Sequence, residues 1–178
     1  MNLPKKSKLK SAVFFDRDGV LNVDYEYIYR IKDFIWMEGA IEAIKYLNDN
    51  NYFVFVVTNQ SGIARGYYTE NEVFKLHQWM NNELKKDGAH IDAFYFCPHH
   101  PKAKVDKYRI KCDCRKPSPG LILKALREWP IDKSNSFSIG DKESDTKAAI
   151  NAGIQGHLFK KDNLYHFLLK ILQKRNTN

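Results

Sequence analysis

The sequence has no apolar segment long enough to cross a lipid bilayer. A membrane helix needs roughly 18 or more consecutive apolar residues, whereas the apolar runs at 12–15 and 52–57 are much shorter. The basic N-terminus leads into the first of these runs, which Asp16 interrupts, so we expect no signal peptide and no membrane partner. Internal repeats and low-complexity linkers are also lacking. We therefore expect residues 1–178 to form one domain with flexible basic tails at 1–10 and 174–178.

Cysteine is scarce. The chain has three cysteines, and two of them, Cys112 and Cys114, are one residue apart. An odd number with this spacing argues against a disulfide framework and indicates a reducing, cytoplasmic setting or a metal site.

The third cysteine, Cys97, is followed closely by His99 and His100. Three thiolates and one imidazole supply the four ligands of a closed tetrahedral zinc site. A site with four protein ligands has no open position, so we expect a structural Zn²⁺ that holds the loop 97–116 in place. The spacing leaves open which of the two histidines is the ligand, and free thiols beside a surface histidine are the alternative.

Acidic residues are outnumbered, with 29 Lys and Arg against 21 Asp and Glu and a net charge of +8. Such an excess indicates an anionic partner. Part of it lies in the two tails, which are expected to be solvated. A stripe of basic residues alternating with aromatic ones is also lacking, so we expect a phosphorylated small molecule and no nucleic acid. We further expect a monomer.

Short apolar runs alternate with segments of helical periodicity along the chain. This alternation predicts an α/β fold, a single Rossmann-like domain whose parallel sheet has helices on both faces, with no large cap domain. Thr69 and Glu72 form a capping-box pattern, and Ser118 with Pro119 resembles a cap and first helical residue. The predicted strands are 13–15, 52–57, 91–96, 136–139 and 154–159. The main helices are predicted at 39–48, 69–87, 119–129 and 163–172, with a further helix through 148–150 that stops at Gly153.

Polar residues follow several of these strands directly. Asp16 and Asp18 follow the first strand, Thr58 the second and Asp141 the fourth. Because the carboxyl ends of parallel strands meet at one edge, these side chains are expected to converge on a cleft. Carboxylates alone repel an anion, so a phosphate site here requires a divalent cation, for which Mg²⁺ held by Asp16 and Asp141 is the natural choice.

Such a site suits phosphoryl transfer. Asp16 can attack phosphorus, and Asp18 can protonate the leaving alcohol and then activate water. Thr58 and Lys116 can stabilise the charge on the phosphoryl oxygens. Each segment has a plainer interpretation as well, because Asp-Gly and the 58–62 segment are common in ordinary turns.

The ordered motifs resemble those of the haloacid dehalogenase superfamily of phosphohydrolases. They are Asp16-x-Asp18-Gly19, Thr58, Lys116 and Gly140-Asp141 with Asp145. The segment 58–67, the pairs Cys97-x-His99 and Cys112-x-Cys114, and Arg115-Lys116-Pro117 further resemble one branch, the D-glycero-D-manno-heptose 1,7-bisphosphate 7-phosphatases of the histidinol-phosphate phosphatase subfamily. The resemblance spans about residues 13–153.

This resemblance implies removal of the 7-phosphate of a sugar bisphosphate through an aspartyl-phosphate, a cytoplasmic step toward bacterial surface glycans. It implies Mg²⁺ bound by Asp16, Asp141 and the backbone carbonyl of Asp18. It also selects His99 as the zinc ligand beside Cys97, Cys112 and Cys114. The residues expected to contact substrate are Asn59, Gln60, Ser61, Arg65, Arg115 and Lys142. Glu26 stands where the resemblance implies glycine.

Three alternatives compete with this interpretation. A histidinol-phosphate phosphatase shares the catalytic motifs, but Ser61 and the segment 64–67 favour the heptose branch. A DNA 3′-phosphatase fits the net charge but not the missing basic and aromatic stripe. A non-catalytic, zinc-stabilised nucleic-acid-binding module explains the cysteines and leaves Asp16, Asp18 and Asp141 without a purpose, because they repel a phosphate backbone.

Overall fold

A five-stranded parallel sheet in the order β3-β2-β1-β4-β5 forms the centre of the fold. The computed structural model describes residues 8–160 and 162–176. The strands are β1 (Ala12–Phe15), β2 (Phe53–Asn59), β3 (Ala93–Cys97), β4 (Phe137–Gly140) and β5 (Gln155–Leu158). All four residues of the central strand β1 are buried, as expected for a strand covered on both faces.

Helices cover both faces of the sheet. They are α1 (Ala40–Asp49), α2 (Ser61–Arg65), α3 (Glu70–Lys86), α4 (Gly120–Glu128), α5 (Glu143–Ala152) and α6 (Leu164–Asn176), with 3₁₀ turns at Ile31–Asp33 and Asp106–Tyr108. Val13 and Phe15 pack into a core with α1, α3 and α6, whereas Phe14 packs into a second core with α4 and α5. Alternation along one strand thus separates the two cores. The predicted α/β class is confirmed.

Two predicted boundaries change for physical reasons. Strand β2 continues to Asn59, because Thr58 and Asn59 pair with Phe96 and Cys97 of β3. Helix α4 begins at Gly120 rather than at Pro119, and no side chain caps it. A Cβ at Gly120 would lie 2.4 Å from the Asp113 carbonyl oxygen, so glycine permits the close approach of the loop. The capping box of Thr69 and Glu72 is present as predicted.

The predicted tails belong partly to the fold. The Lys10 N–H donates to the Pro130 carbonyl at 3.0 Å, and Lys10 forms a bridge with Ile131. Helix α6 continues through Asn176, four residues past its predicted end at 172. Residues 1–7 and 177–178 lie outside the described residues. Within 8–160 and 162–176, no helix is long and apolar enough to cross a membrane.

Candidate active site

A cleft of about 390 Å³ opens at the carboxyl ends of the strands, where ligands bind in open α/β sheets. Strands β1 and β2, the start of α5 and the loop before α4 all contribute to its walls. The lining residues are Asp16, Asp18, Asp24, Glu26, Tyr27, Thr58, Asn59, Ser61, Tyr68, Arg115, Lys116, Lys142, Ser144 and Asp145.

Lys116 is buried between two carboxylates. Its Nζ lies 3.0 Å from Asp16 Oδ1 and 2.7 Å from Asp145 Oδ1, and it donates to the Val57 carbonyl oxygen at 2.8 Å. Burial raises the pKa of Asp16 to about 6; the Lys116 ammonium opposes this rise, and the Asp145 and Asp18 carboxylates add to it. The cluster therefore holds excess negative charge that water does not screen.

Asp141 fits a cation site. A Cβ at Gly19 would lie 2.4 Å from Asp141 Oδ2, and Gly19 has φ +86°, so this approach requires glycine. Asp141 Oδ1 is buried with no hydrogen-bond partner among the described residues. Oxygens of Asp16, Asp141 and Asp145 lie within 4.8 Å of one another. Both oxygens of Asp145 are engaged, Oδ1 by Lys116 and Oδ2 by the Lys142 N–H, whereas Lys116 and the Arg17 N–H both contact Asp16 through Oδ1. Asp16 and Asp141 therefore remain as the oxygen donors for a hard divalent ion.

The Asp18 carboxylate is held from behind by buried donors. Arg17, which is 0% exposed, places Nη2 at 2.9 Å from both Asp18 oxygens. Gln60 Nε2 donates to Asp18 Oδ2 at 2.8 Å, and Asn22 Nδ2 donates to Oδ1 at 3.1 Å. Asp18 is thus fixed at the cleft wall, and its side chain keeps 18% exposure.

The three cysteines and His99 form a second polar cluster. Cys97 Sγ lies 3.7 Å from Cys112 Sγ and 3.8 Å from His99 Nδ1, and Cys114 Sγ lies 3.0 Å from Cys97 Sγ and 3.3 Å from His99 Nδ1. Ligands of a tetrahedral zinc ion lie about 3.5–3.8 Å apart, so two of these four separations fall in that range, and the two that involve Cys114 Sγ are shorter. His100 is not part of this cluster, and its Nδ1 accepts a hydrogen bond from the Lys102 N–H.

The chain has relatives over most of its length. It is 45% identical over 163 residues to the D-glycero-beta-D-manno-heptose-1,7-bisphosphate 7-phosphatase of Rhodopseudomonas palustris, covering 92% of this chain and 91% of the relative. It is 43% identical over 148 residues to the enzyme of that name from Escherichia coli, covering 83% and 78%. The HAD-hydrolase-like family model matches residues 113–164.

This chain belongs to the heptose-1,7-bisphosphate 7-phosphatase family of the haloacid dehalogenase superfamily. The predicted phosphatase class is confirmed. A crystal structure of D,D-heptose 1,7-bisphosphate phosphatase from B. bronchiseptica, complexed with magnesium and phosphate, matches the fold with a TM-score of 0.78 at 28% identity, covering 92% of this chain and 99% of that one.

Two of the residues predicted to bind substrate do not line the cleft. Gln60 is 1% exposed and does not line the cleft, because its amide is used inside the protein. Arg65 does not line the cleft either, and its guanidinium lies over the Tyr27 ring at 5.9 Å. Asn59 lines the cleft, but its amide pairs with the backbone N–H and carbonyl of Lys116 at 3.1 and 3.2 Å.

The rim of the cleft carries charges of both signs. Arg115 and Lys142 line it, and Lys142 Nζ lies 3.7 Å from Asp24 Oδ2 and 3.9 Å from Asp141 Oδ2. Glu26 also lines the cleft and has φ +64°, in the left-handed region that favours glycine. The substitution of the expected glycine therefore places a carboxylate in a strained backbone conformation at the rim.

Sequence reasoning gave no role to several residues that support the site. Arg17 stands between two recognised aspartates, yet nothing in the sequence shows that its guanidinium is buried. Asp145 was recognised only as part of a motif, although it is the second partner of Lys116. The sequence pattern indicates an ordinary helix residue at His77 and assigns nothing to Tyr68. Their partners come from distant segments, which the local pattern does not reveal.

Proposed function

We propose that this phosphatase removes the 7-phosphate of D-glycero-β-D-manno-heptose 1,7-bisphosphate. The observation that carries the proposal is the Asp16–Lys116–Asp145 cluster beside Asp18, in a cleft whose rim holds Arg115 and Lys142. The two relatives named above supply the substrate and its β configuration, since both carry that name at 43–45% identity.

The reaction proceeds in two displacements. The Asp16 carboxylate attacks phosphorus, and a bond between Asp16 and phosphorus forms as the bond from phosphorus to the sugar oxygen breaks. Asp18 gives its proton to the departing oxygen, which leaves as the sugar hydroxyl. In the second displacement the Asp18 carboxylate takes a proton from water, the oxygen of that water attacks phosphorus, and inorganic phosphate leaves while Asp16 is restored.

The other residues of the cleft stabilise charge and hold the substrate. Thr58 Oγ1 and Lys116 Nζ stabilise the negative charge of the transferring phosphoryl group. Ser61 adds a hydroxyl on the same wall. Asp16, Asp141 and the backbone carbonyl of Asp18 would hold Mg²⁺, which supplies the positive charge that lets a phosphate approach three carboxylates.

The rim cations select the substrate. Arg115 and Lys142 bind the phosphate at position 1, which is not cleaved, because two positive groups at the mouth of the cleft suit a second dianion. The Cys97, His99, Cys112 and Cys114 cluster binds a structural Zn²⁺ that fixes the backbone on which Arg115 lies. We place the enzyme in the cytoplasm, where thiols stay reduced and available to bind zinc. We further propose that it is a monomer.

The test is phosphate release with Mg²⁺ at fixed ionic strength, measured as kcat/KM for both anomers of the bisphosphate and for histidinol phosphate. The proposal predicts that the β anomer exceeds the α anomer and histidinol phosphate by at least about 10-fold, the size of a single good polar contact in discrimination. Equal or better turnover of histidinol phosphate would overturn the substrate and leave the roles of Asp16 and Asp18 in place.

A further inference from the structure

The side chain of Gln60 lies behind the cleft, in contact with two of its catalytic groups. It is 1% exposed. Its Nε2 lies 2.8 Å from Asp18 Oδ2 and 3.0 Å from Thr58 Oγ1. Its Oε1 lies 2.8 Å from the Tyr68 hydroxyl and 3.2 Å from Arg17 Nη2. A carboxamide has two N–H groups and one oxygen with two lone pairs, so all four of its hydrogen-bonding positions are used.

The orientation of this amide is determined by its neighbours. Arg17 can only donate, so the atom facing it must be the carbonyl oxygen. Asp18 Oδ2 accepts from Arg17 Nη2 at 2.9 Å as well, so the amide atom facing this oxygen is the nitrogen, which donates. The two contacts agree on one orientation, and a flipped amide would lose both.

The two donors to Gln60 are themselves fixed. Burial raises the pKa of Tyr68 far above its usual value, so the phenol keeps its proton. Its ring stacks on Tyr29 with centroids 4.8 Å apart, and a Cβ at Gly62 would lie 2.1 Å from that ring. Glycine at position 62 therefore permits the position of Tyr68.

Arg17 is anchored away from the cleft. Its Nη2 donates to the Ile28 carbonyl oxygen at 2.5 Å, and its Nη1 lies 3.4 Å from His77 Nε2. Burial, together with the Arg17 charge, lowers the pKa of His77 well below its usual value, so the imidazole is neutral and can accept from Arg17. His77 in turn stacks on Phe94 at 4.4 Å.

The Gln60 contact determines where the Thr58 proton points. Thr58 Oγ1 accepts a hydrogen bond from Gln60, which directs the hydroxyl hydrogen away from Gln60 and frees it to donate. Thr58 lines the cleft, so a phosphoryl oxygen is the acceptor within that space. The same amide nitrogen also donates to Asp18 Oδ2, so one group sets the positions of both side chains.

We propose that Gln60 is a positioning residue that orients Asp18 for proton transfer and Thr58 for phosphoryl binding through one carboxamide, fixed in turn by Arg17 and Tyr68. This inference rests on the roles proposed above for Asp18 and Thr58. In this role Gln60 contacts neither the substrate nor the phosphorus atom that is attacked.

The test compares two leaving groups in the variant Gln60→Met, which keeps the side-chain length and removes the hydrogen bonds. A sugar alkoxide needs a proton from Asp18 to leave, whereas p-nitrophenolate leaves without one. The ratio kcat/KM reports only steps up to the first irreversible one, the loss of the leaving group. We expect kcat/KM to fall about 100-fold for the heptose bisphosphate and about 10-fold for p-nitrophenyl phosphate, within the range for general acid catalysis.

Asn81→Leu is the matched control. Asn81 is a partly buried amide whose side chain donates to the Ile91 carbonyl at 2.9 Å and accepts from the Ile91 N–H at 2.8 Å, far from the cleft. Its loss should lower the melting temperature and leave the ratio between the two substrates unchanged. Tyr68→Phe, which removes one donor to Gln60, should shift the ratio in the same direction by a smaller factor.

Asp18→Asn separates failure of this inference from failure of the proposed function. If Asp18→Asn shows the substrate-dependent loss and both Gln60→Met and Tyr68→Phe do not, the positioning role is wrong and the acid role of Asp18 stands. If Asp18→Asn itself affects both substrates equally, the acid role is wrong and the inference falls with it. Should wild type not cleave the bisphosphate, histidinol phosphate provides the alkyl leaving group for the same comparison.

Discussion

The catalytic edge and the zinc loop position their side chains by different means. At the edge, Asp16, Thr58, Lys116 and Asp145 are all at most 8% exposed and lie at the carboxyl ends of the buried strands or contact them. In the loop between Cys97 and Lys116, Ala103 and Tyr108 are the buried residues. The edge therefore derives its order from the core, whereas the loop, with little apolar burial, depends on its thiol and imidazole cluster.

The two regions join at adjacent residues. Cys114 belongs to the cluster, Arg115 faces the rim, and Lys116 reaches the buried carboxylates. The Arg115 guanidinium also donates to the His99 carbonyl at 3.2 Å. Three consecutive residues thus connect the metal cluster, the substrate rim and the catalytic charge cluster, so damage to the loop should reach the chemistry through Lys116.

The largest expected effect comes from the edge. Asp16→Asn should lower kcat by at least about 10⁴-fold, because it removes the nucleophile. Lys116 keeps its 2.7 Å contact with Asp145, so the protein should stay folded. Phosphate release and circular dichroism check the two halves of this prediction, and normal turnover by the variant would remove Asp16 from its role.

Substitutions in the zinc loop should lower stability, in contrast to Asp16→Asn, which should lower activity and leave the protein folded. His99→Ala or Cys112→Ser should lose zinc and lower the free energy of unfolding by more than about 3 kcal/mol, because loss of a bound metal is one of the few mechanisms that give such large effects. His100→Ala is the matched control, because the His100 imidazole accepts from the Lys102 N–H and is not part of the cluster. Zinc content by atomic absorption and urea unfolding provide the readouts. Full zinc occupancy in Cys112→Ser would contradict the proposed ligand set.

The two regions were predictable to different degrees. The cluster was predicted because cysteine is rare, so three thiols leave few alternatives. Asp16, Asp18, Thr58 and Asp141 were predicted because they follow apolar runs that could only be strands. The position of Gln60 behind the cleft was not predicted, because strand β2 was expected to end at Val57 and its continuation depends on pairing with β3.

The direction of the Arg65 side chain was not predicted for a related reason. Its partner is the Tyr27 ring, 38 residues away along the chain, and Tyr27 itself packs edge-on against Tyr67 at 4.8 Å. A basic residue close to a polar, glycine-containing turn suggests phosphate binding, but the direction of its side chain depends on long-range packing. Residue type was therefore readable from the sequence, and side-chain direction was not.

The free energy of unfolding, measured over a range of pH, should show how much burial of the Asp16 carboxylate destabilises the protein. Without added Mg²⁺, the native pKa of Asp16 is about 6 against an ordinary 3.8, so between these values the native state binds more protons than the unfolded state. Stability should therefore fall as pH rises from about 4 to about 6, by up to about 3 kcal/mol. The difference in unfolding free energy between wild type and Asp16→Asn isolates this contribution, and a difference that is constant with pH would refute it.

The most direct test of the division between the two regions is the preference for a second phosphate. The kcat/KM for D-glycero-β-D-manno-heptose 1,7-bisphosphate and for the corresponding 7-phosphate should be measured in wild type and in Arg115→Ala. The account predicts a 10- to 100-fold loss on the bisphosphate, about 1.4–2.7 kcal/mol, with turnover of the monophosphate unchanged. Equal losses on both substrates would contradict it, because Arg115 would then act on the chemistry and not on substrate selection.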